Sequence, residues 1–205
     1  MHYIRKKLFS KFYKEYGIKY YPKKFKKKFR FNKKFIFFKK NLNKNKSNRI
    51  IELATQKIKV NPNDIWKKRK FTDREDFSSL HRWSWALKLI STKKNNLSIS
   101  EKNFVEDCIN NWCVYHDHKK IEKESIIFEP YNISERICNY LILIKLKILR
   151  PNNFVFYNLE KQFIFLLENI EYYKFRLSNH ALNNLRAIYL FSVYTENKRI
   201  INYSL

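Results

Sequence analysis

Apolar positions recur at helical spacing along most of the chain after residue 47. The clearest case begins at Ser98-x-x-Glu101, a capping box in which hydroxyl and carboxylate each reach the other's backbone N–H. Behind it Phe104, Val105, Cys108, Ile109, Trp112 and Cys113 follow at steps of one and four, which predicts one buried helix face. Asn132-x-x-Glu135 repeats the capping logic after Pro130, with Ile137, Leu141, Ile144 and Ile148 as its stripe up to Arg150-Pro151. A helix from about Asn158 to Tyr173 runs through Phe163, Leu166, Leu167 and Ile170. Ser178 is placed to cap the next, with Leu182, Leu185, Ile188, Tyr189 and Ser192 inward, and a further helix is expected from Asn197 to Leu205.

Upstream, Leu80, Trp83, Trp85, Leu87, Leu89 and Ile90 after Ser78-Ser79 predict a short, heavily apolar helix. Ile50, Ile51, Leu53 and Ile58 predict another from Asn48, stopped before Asn61-Pro62-Asn63 because proline lacks an N–H and restricts its predecessor. Helices of this length joined by short loops predict an all-α domain over residues 48–205, an antiparallel helical array. Residues 1–47 alternate Lys clusters with Phe and Tyr and read as a basic, aromatic-rich arm, partly disordered or helical.

Composition sharpens this picture. Gly17 is the single glycine among 205 residues. Hairpins, sandwiches and phosphate loops use glycine wherever φ must be positive, so its scarcity argues against all of them and excludes Walker and dinucleotide-binding fingerprints. Residues 1–49 hold 19 of the 44 Lys and Arg and, among 18 acids, only Glu15, so that segment carries +18 of the formal +26. Such a charge attracts polyanions through Coulomb attraction and counterion release. A coding sequence rich in A and T would inflate Lys, Asn, Ile, Phe and Tyr together and produce much the same balance.

Cys108, Cys113 and Cys138 are odd in number and lack a C-x-x-C pair, so they read as small core residues. Cys113, His116 and His118 fit no standard zinc spacing, and neither a metal nor a cofactor is expected. No apolar stretch resembles a signal peptide or a membrane span; Leu141 to Leu149 is broken by Lys145 and Lys147.

Candidate chemistry lies at two predicted helix starts. Ser178-Asn179-His180 offers an amide and an imidazole beside first-turn N–H groups, where the dipole favours an anion. Tyr131, Glu135 and Arg136 sit at the other, with Arg136 suited to pair bidentately with a carboxylate or sulfate. His81 and Trp83, near Trp85, could offer an aromatic platform to a sugar ring. A capping or core role accounts for each of these residues equally well.

Three runs in order resemble the N-terminal helical region of heparinase II/III-like polysaccharide lyases: Leu80-His81-Arg82-Trp83-Ser84-Trp85, Phe128-Glu129-Pro130-Tyr131-Asn132-Ile133-Ser134-Glu135-Arg136-Ile137-Cys138-Asn139-Tyr140, and Leu177-Ser178-Asn179-His180-Ala181-Leu182-Asn183-Asn184-Leu185-Arg186-Ala187. The second contains the family-like Pro-Tyr-x-x-Ser-x-Arg-x-x-Asn and the third its Asn-His pair. The resemblance implies an incomplete (α/α) toroid and β-elimination on uronic-acid polysaccharides, in which the carboxylate is neutralised, a base removes the C5 proton and an acid protonates the leaving O4. By resemblance, Asn179 binds the carboxylate with His180 assisting, and Tyr131, Glu135, Arg136, His81 and Trp83 line the substrate. The family's catalytic Tyr-His segment, its second histidine and its β-sandwich domain are not found in these 205 residues. The expectation is therefore a fragment, truncated at its C-terminus, that binds an acidic polysaccharide and does not cleave it alone.

The alternative is a small basic, ribosome-associated protein that binds nucleic acid through residues 1–49, with bases stacked on rings and phosphates on Lys. A decayed reading frame would also fit. Without a recognisable leader the compartment is cytoplasmic by default, and periplasmic if the family's usual export applies.

Overall fold

The structure, a computed structural model, describes residues 48–66, 71–93, 96–116, 125–171 and 178–197. The arm at 1–47 and the helix expected from Asn197 lie outside these residues, apart from Asn197 itself. The described part is mainly helical. After strands β1 (Arg49–Glu52) and β2 (Lys57–Val60) come helices α1 (Arg74–Arg82), α2 (Ser84–Thr92), α3 (Ile99–His116), a 3-10 turn (Ile126–Phe128), α4 (Pro130–Lys145), α5 (Asn153–Glu168) and α6 (Asn179–Tyr194). Among the described residues no helix is long and apolar enough to cross a membrane.

The helix expected from Asn48 is instead an antiparallel hairpin, with Ile50 opposite Lys59 and Ile51 opposite Ile58. Ile51 and Val60 are buried while Ile50 and Lys59 face out, the period-2 pattern of a half-buried strand. Its glycine-free loop is closed by the Leu53 N–H donating to the Gln56 carbonyl (2.8 Å) and is clamped from outside. The carboxylate of Asp76, in the first turn of α1, accepts from the Thr55 N–H (2.7 Å), the Thr55 hydroxyl (2.7 Å) and the Gln56 amide (2.7 Å). Burial alone would raise the Asp76 pKa, but these donors outweigh it and hold the carboxyl below its ordinary 3.8. Lys88 of α2 reaches the Leu53 carbonyl in the same loop.

The single helix expected around Leu80–Ile90 is two. α1 starts earlier, where the Asp73 side chain accepts the Glu75 N–H, so Ser78 and Ser79 lie buried within it rather than capping it. It stops at Trp83, whose φ of 62° is left-handed, a conformation that glycine usually takes at a helix end. Side chains take the carbonyls at the end of α1: Leu80, which also accepts the Trp83 N–H (3.3 Å), by Trp85 Nε1 (3.2 Å), His81 by Arg136 Nε (2.7 Å) and Arg82 by Asn139 Nδ2 (2.9 Å). Two of these donors come from α4, four and seven residues after Asn132, which itself accepts from Arg82 Nε. A polar stripe of α4 thus caps α1 and fixes the crossing of the two helices.

The capping box before α3 forms as the spacing predicts: Ser98 N–H donates to Glu101 (2.8 Å) and Glu101 N–H to Ser98 Oγ (3.2 Å). Its six-residue apolar stripe is buried throughout. The second expected box does not form, because Asn132 donates to the Ile126 carbonyl and Glu135 pairs with Arg186; α4 begins at Pro130, with Glu129 at the cap position and no side-chain cap bond. α5 starts and ends about five residues before the expected bounds, capped by Asn152 Oδ1 on the Phe154 N–H (2.9 Å). Ser178 caps α6 by accepting the Ala181 N–H (3.1 Å). α6 turns inward Ala181, Asn183, Asn184, Ala187, Ile188, Phe191 and Ser192, whereas Leu182 and Tyr189, expected inside, are exposed.

α4 is the hub of the packing. It lies against α6 over its longest contact and against α1, α2 and α5; α3 packs on α5 and α2 on β1. The core between them is aromatic, with Trp83, Trp85, Trp112, Tyr140, Phe163 and Phe191 all essentially solvent-free. The three cysteines are buried, and burial pushes the Cys138 pKa up to about 11.

Candidate functional site

Packing α4 on α6 brings the start of one helix beside the start of the other. The Tyr131 and His180 rings meet with centroids 4.6 Å apart. The Arg82 guanidinium lies 4.8 Å from the Tyr131 centroid and is held by Asn132 and Glu75. Asn179, the first residue of α6, and His180 are both exposed. Ser178 takes the N–H groups of Ala181 and Leu182, through its hydroxyl and its carbonyl, so those of Asn179 and His180 are the first-turn donors without an intrahelical acceptor. This corner presents a phenol, an imidazole, an amide and helix-end N–H groups, a set that can receive a carboxylate and the hydroxyls around it.

The register of the two helices is fixed by Asn184, which is fully buried. Its Nδ2 donates to Ser134 Oγ of α4 (3.0 Å), and its Oδ1 accepts the Glu171 N–H (2.9 Å). Ser134 in turn donates to the Pro130 carbonyl (2.8 Å) at the start of α4. Glu171 Oε2 lies 3.4 Å from His180 Nδ1.

The remaining sequence candidates lie elsewhere, and three of them are inside the protein. Arg136 is 0% exposed and cannot meet a substrate. Its Nε donates to the His81 carbonyl, one Nη to the Ile127 carbonyl (2.6 Å) and the other to Gln162 of α5, and its guanidinium sits 4.2 Å from the Trp112 centroid. Burial lowers its pKa to about 9, opposed in part by Cys113 and joined by a still smaller push from Arg82. His81 is buried among Phe77, Trp66 and His116, and its Nδ1 accepts from Trp112 Nε1 (3.0 Å). Trp83 is 0% exposed, edge-on to Trp112 and Tyr140, so it offers no platform to a sugar. Glu135 is near the surface but forms an ion pair with Arg186 of α6 (2.7 Å).

Sequence reasoning assigned no role to Arg82, Glu171 or Asn184. Arg82 stands within the first family-like run and could have been found there. Asn184 likewise stands within the third run, whereas Glu171 carries no signal: the part of both depends on a helix pairing that brings residue 134 to residue 184. No protein-family model, curated protein or solved structure matches this chain.

Proposed function

We propose that this chain is the N-terminal helical portion of a heparinase II/III-like polysaccharide lyase, an incomplete (α/α) toroid that binds a uronic-acid-containing polysaccharide. The observation that carries the reading is the contact of Tyr131 with His180, 49 positions apart in sequence and each from a different family-like run. The resemblance named both residues without any knowledge of their distance. In this reading Asn179 and the first-turn N–H groups of α6 receive the uronate carboxylate, and Tyr131 and His180 face the sugar. Elimination itself needs the tyrosine and second histidine that belong to other parts of the family's sequence, so the role of these residues is to hold the polymer.

Calorimetric titration with glucuronate-, iduronate- and mannuronate-containing oligosaccharides tests it. Binding by the wild-type chain that weakens about tenfold in Asn179→Ala and in His180→Ala is the expected result, the size of one lost charge-assisted hydrogen bond. Absence of binding to all three classes rejects the reading.

The charge of residues 1–49 favours a second reading, a nucleic-acid-binding protein. That reading expects single-stranded RNA affinity that falls steeply with salt and is lost on deleting residues 1–47, with no effect of Asn179→Ala.

A further inference from the structure

Among the described residues Glu171 Oε2 finds no hydrogen-bond donor and is itself shielded from solvent, although the side chain is 30% exposed as a whole, and His180 Nδ1 lies at ion-pair distance, 3.4 Å away. The residue is also fixed from behind. Its N–H donates to Asn184, its carbonyl accepts from Ser178 Oγ (3.4 Å), and Asn184 is tied to Ser134 of α4. A carboxylate oxygen removed from water demands a donor. A neutral imidazole has one N–H to give, and the field of the carboxylate favours its placement on the near nitrogen.

We infer that Glu171 is a positioning residue for His180: it selects the tautomer with the proton on Nδ1 and so presents Nε2 as a bare acceptor. Tyr131, packed on the same ring, limits its rotation, and the Arg82 guanidinium beyond Tyr131 is already engaged by Glu75 and Asn132. Among the described residues Glu171 is therefore the carboxylate that faces His180 Nδ1. With Nε2 unprotonated, His180 accepts from a ligand hydroxyl while the amide of Asn179 donates to a carboxylate. This use of Nε2 rests on the proposed function; the tautomer does not.

Long-range proton–nitrogen spectra of the 15N-labelled full chain, with the His180 signals identified by their loss in His180→Gln, read the tautomer directly. The wild type is expected as the Nδ1–H form. Glu171→Ala, which leaves the backbone bonds of residue 171 in place, should move it to the Nε2–H form, and Glu171→Gln, which keeps an acceptor, should restore Nδ1–H. An Nε2–H form in the wild type, or no change in Glu171→Ala with circular dichroism intact, overturns the inference. Titration with a glucuronate oligosaccharide separates the two ideas. Glu171→Ala is expected to bind about tenfold more weakly, as when the orienting partner of a histidine is removed. Equal affinity despite a changed tautomer refutes a positioning role, whereas no binding by the wild type refutes the proposed function and leaves the tautomer assignment standing.

Discussion

Arg136 shows how a residue chosen for its chemistry can be spent entirely on architecture. Its guanidinium has no carboxylate partner among its hydrogen bonds; two carbonyls, the Gln162 amide and an aromatic face hold it instead. Arg136→Met keeps much of the volume but strands three acceptors, two of them in buried bonds, at about 1–3 kcal/mol for each buried one. Urea unfolding should therefore show a loss of about 3 kcal/mol or more, with no specific effect on oligosaccharide affinity in the folded fraction. Asn184 stands in a similar position between Ser134 and Glu171. Asn184→Ala should cost about 1–3 kcal/mol and also loosen the His180 corner, seen as broadened His180 and Tyr131 ring signals. These roles were hard to read in the sequence because Asn and Arg are common in this chain and normally sit at the surface, and nothing local marks Asn132, Asn139, Asn158 and Asn184 as buried. That Asn179, His180 and Tyr131 open helices was legible, because the Ser178 cap and Pro130 mark those two starts locally.

At the scale of elements, long amphipathic stretches were legible and short ones were not. The α3 stripe and its capping box appear where the spacing puts them, since eighteen residues give the period room to declare itself. The hairpin did not, although Lys57-Ile58-Lys59-Val60 alternates strictly. The missing glycine argued against a turn, and the Asp76 clamp that replaces it lies 20 residues away. Because the folded pKa of Asp76 is below its unfolded value, the clamp's stabilisation is complete above the ordinary carboxylate pKa and is lost as pH falls through the folded value. Asp76→Asn should remove that part of the acid slope, below about pH 5. At neutral pH it should cost about 1–3 kcal/mol, with faster amide exchange in β1 and β2. A variant whose acid slope matches the wild type would contradict the clamp.

At the scale of the molecule, helical class followed from periodicity and glycine scarcity, but which helices touch did not. The packing is organised by a polar stripe on α4 that an apolar pattern cannot show: Asn132, Arg136 and Asn139 hold the end of α1, and Ser134 meets α6 through Asn184. The family-like run around Arg136 thus has a structural meaning, because the same residues that carry the resemblance join three helices. Substituting them should lower stability without changing ligand preference, whereas Asn179 and His180 should behave in the opposite way, and thermal unfolding beside titration distinguishes the two sets.

The externally clamped hairpin loop also fixes an order of events in time. An isolated hairpin closes in about 1–10 μs when its own turn is favourable, but beyond the Leu53 N–H to Gln56 carbonyl bond the three donors of this turn find the Asp76 carboxylate only once α1 has docked. The strands should then join after the main folding barrier has been crossed. Thr55→Ala should accelerate unfolding and leave the refolding rate nearly unchanged, a φ-value near zero in stopped-flow measurements.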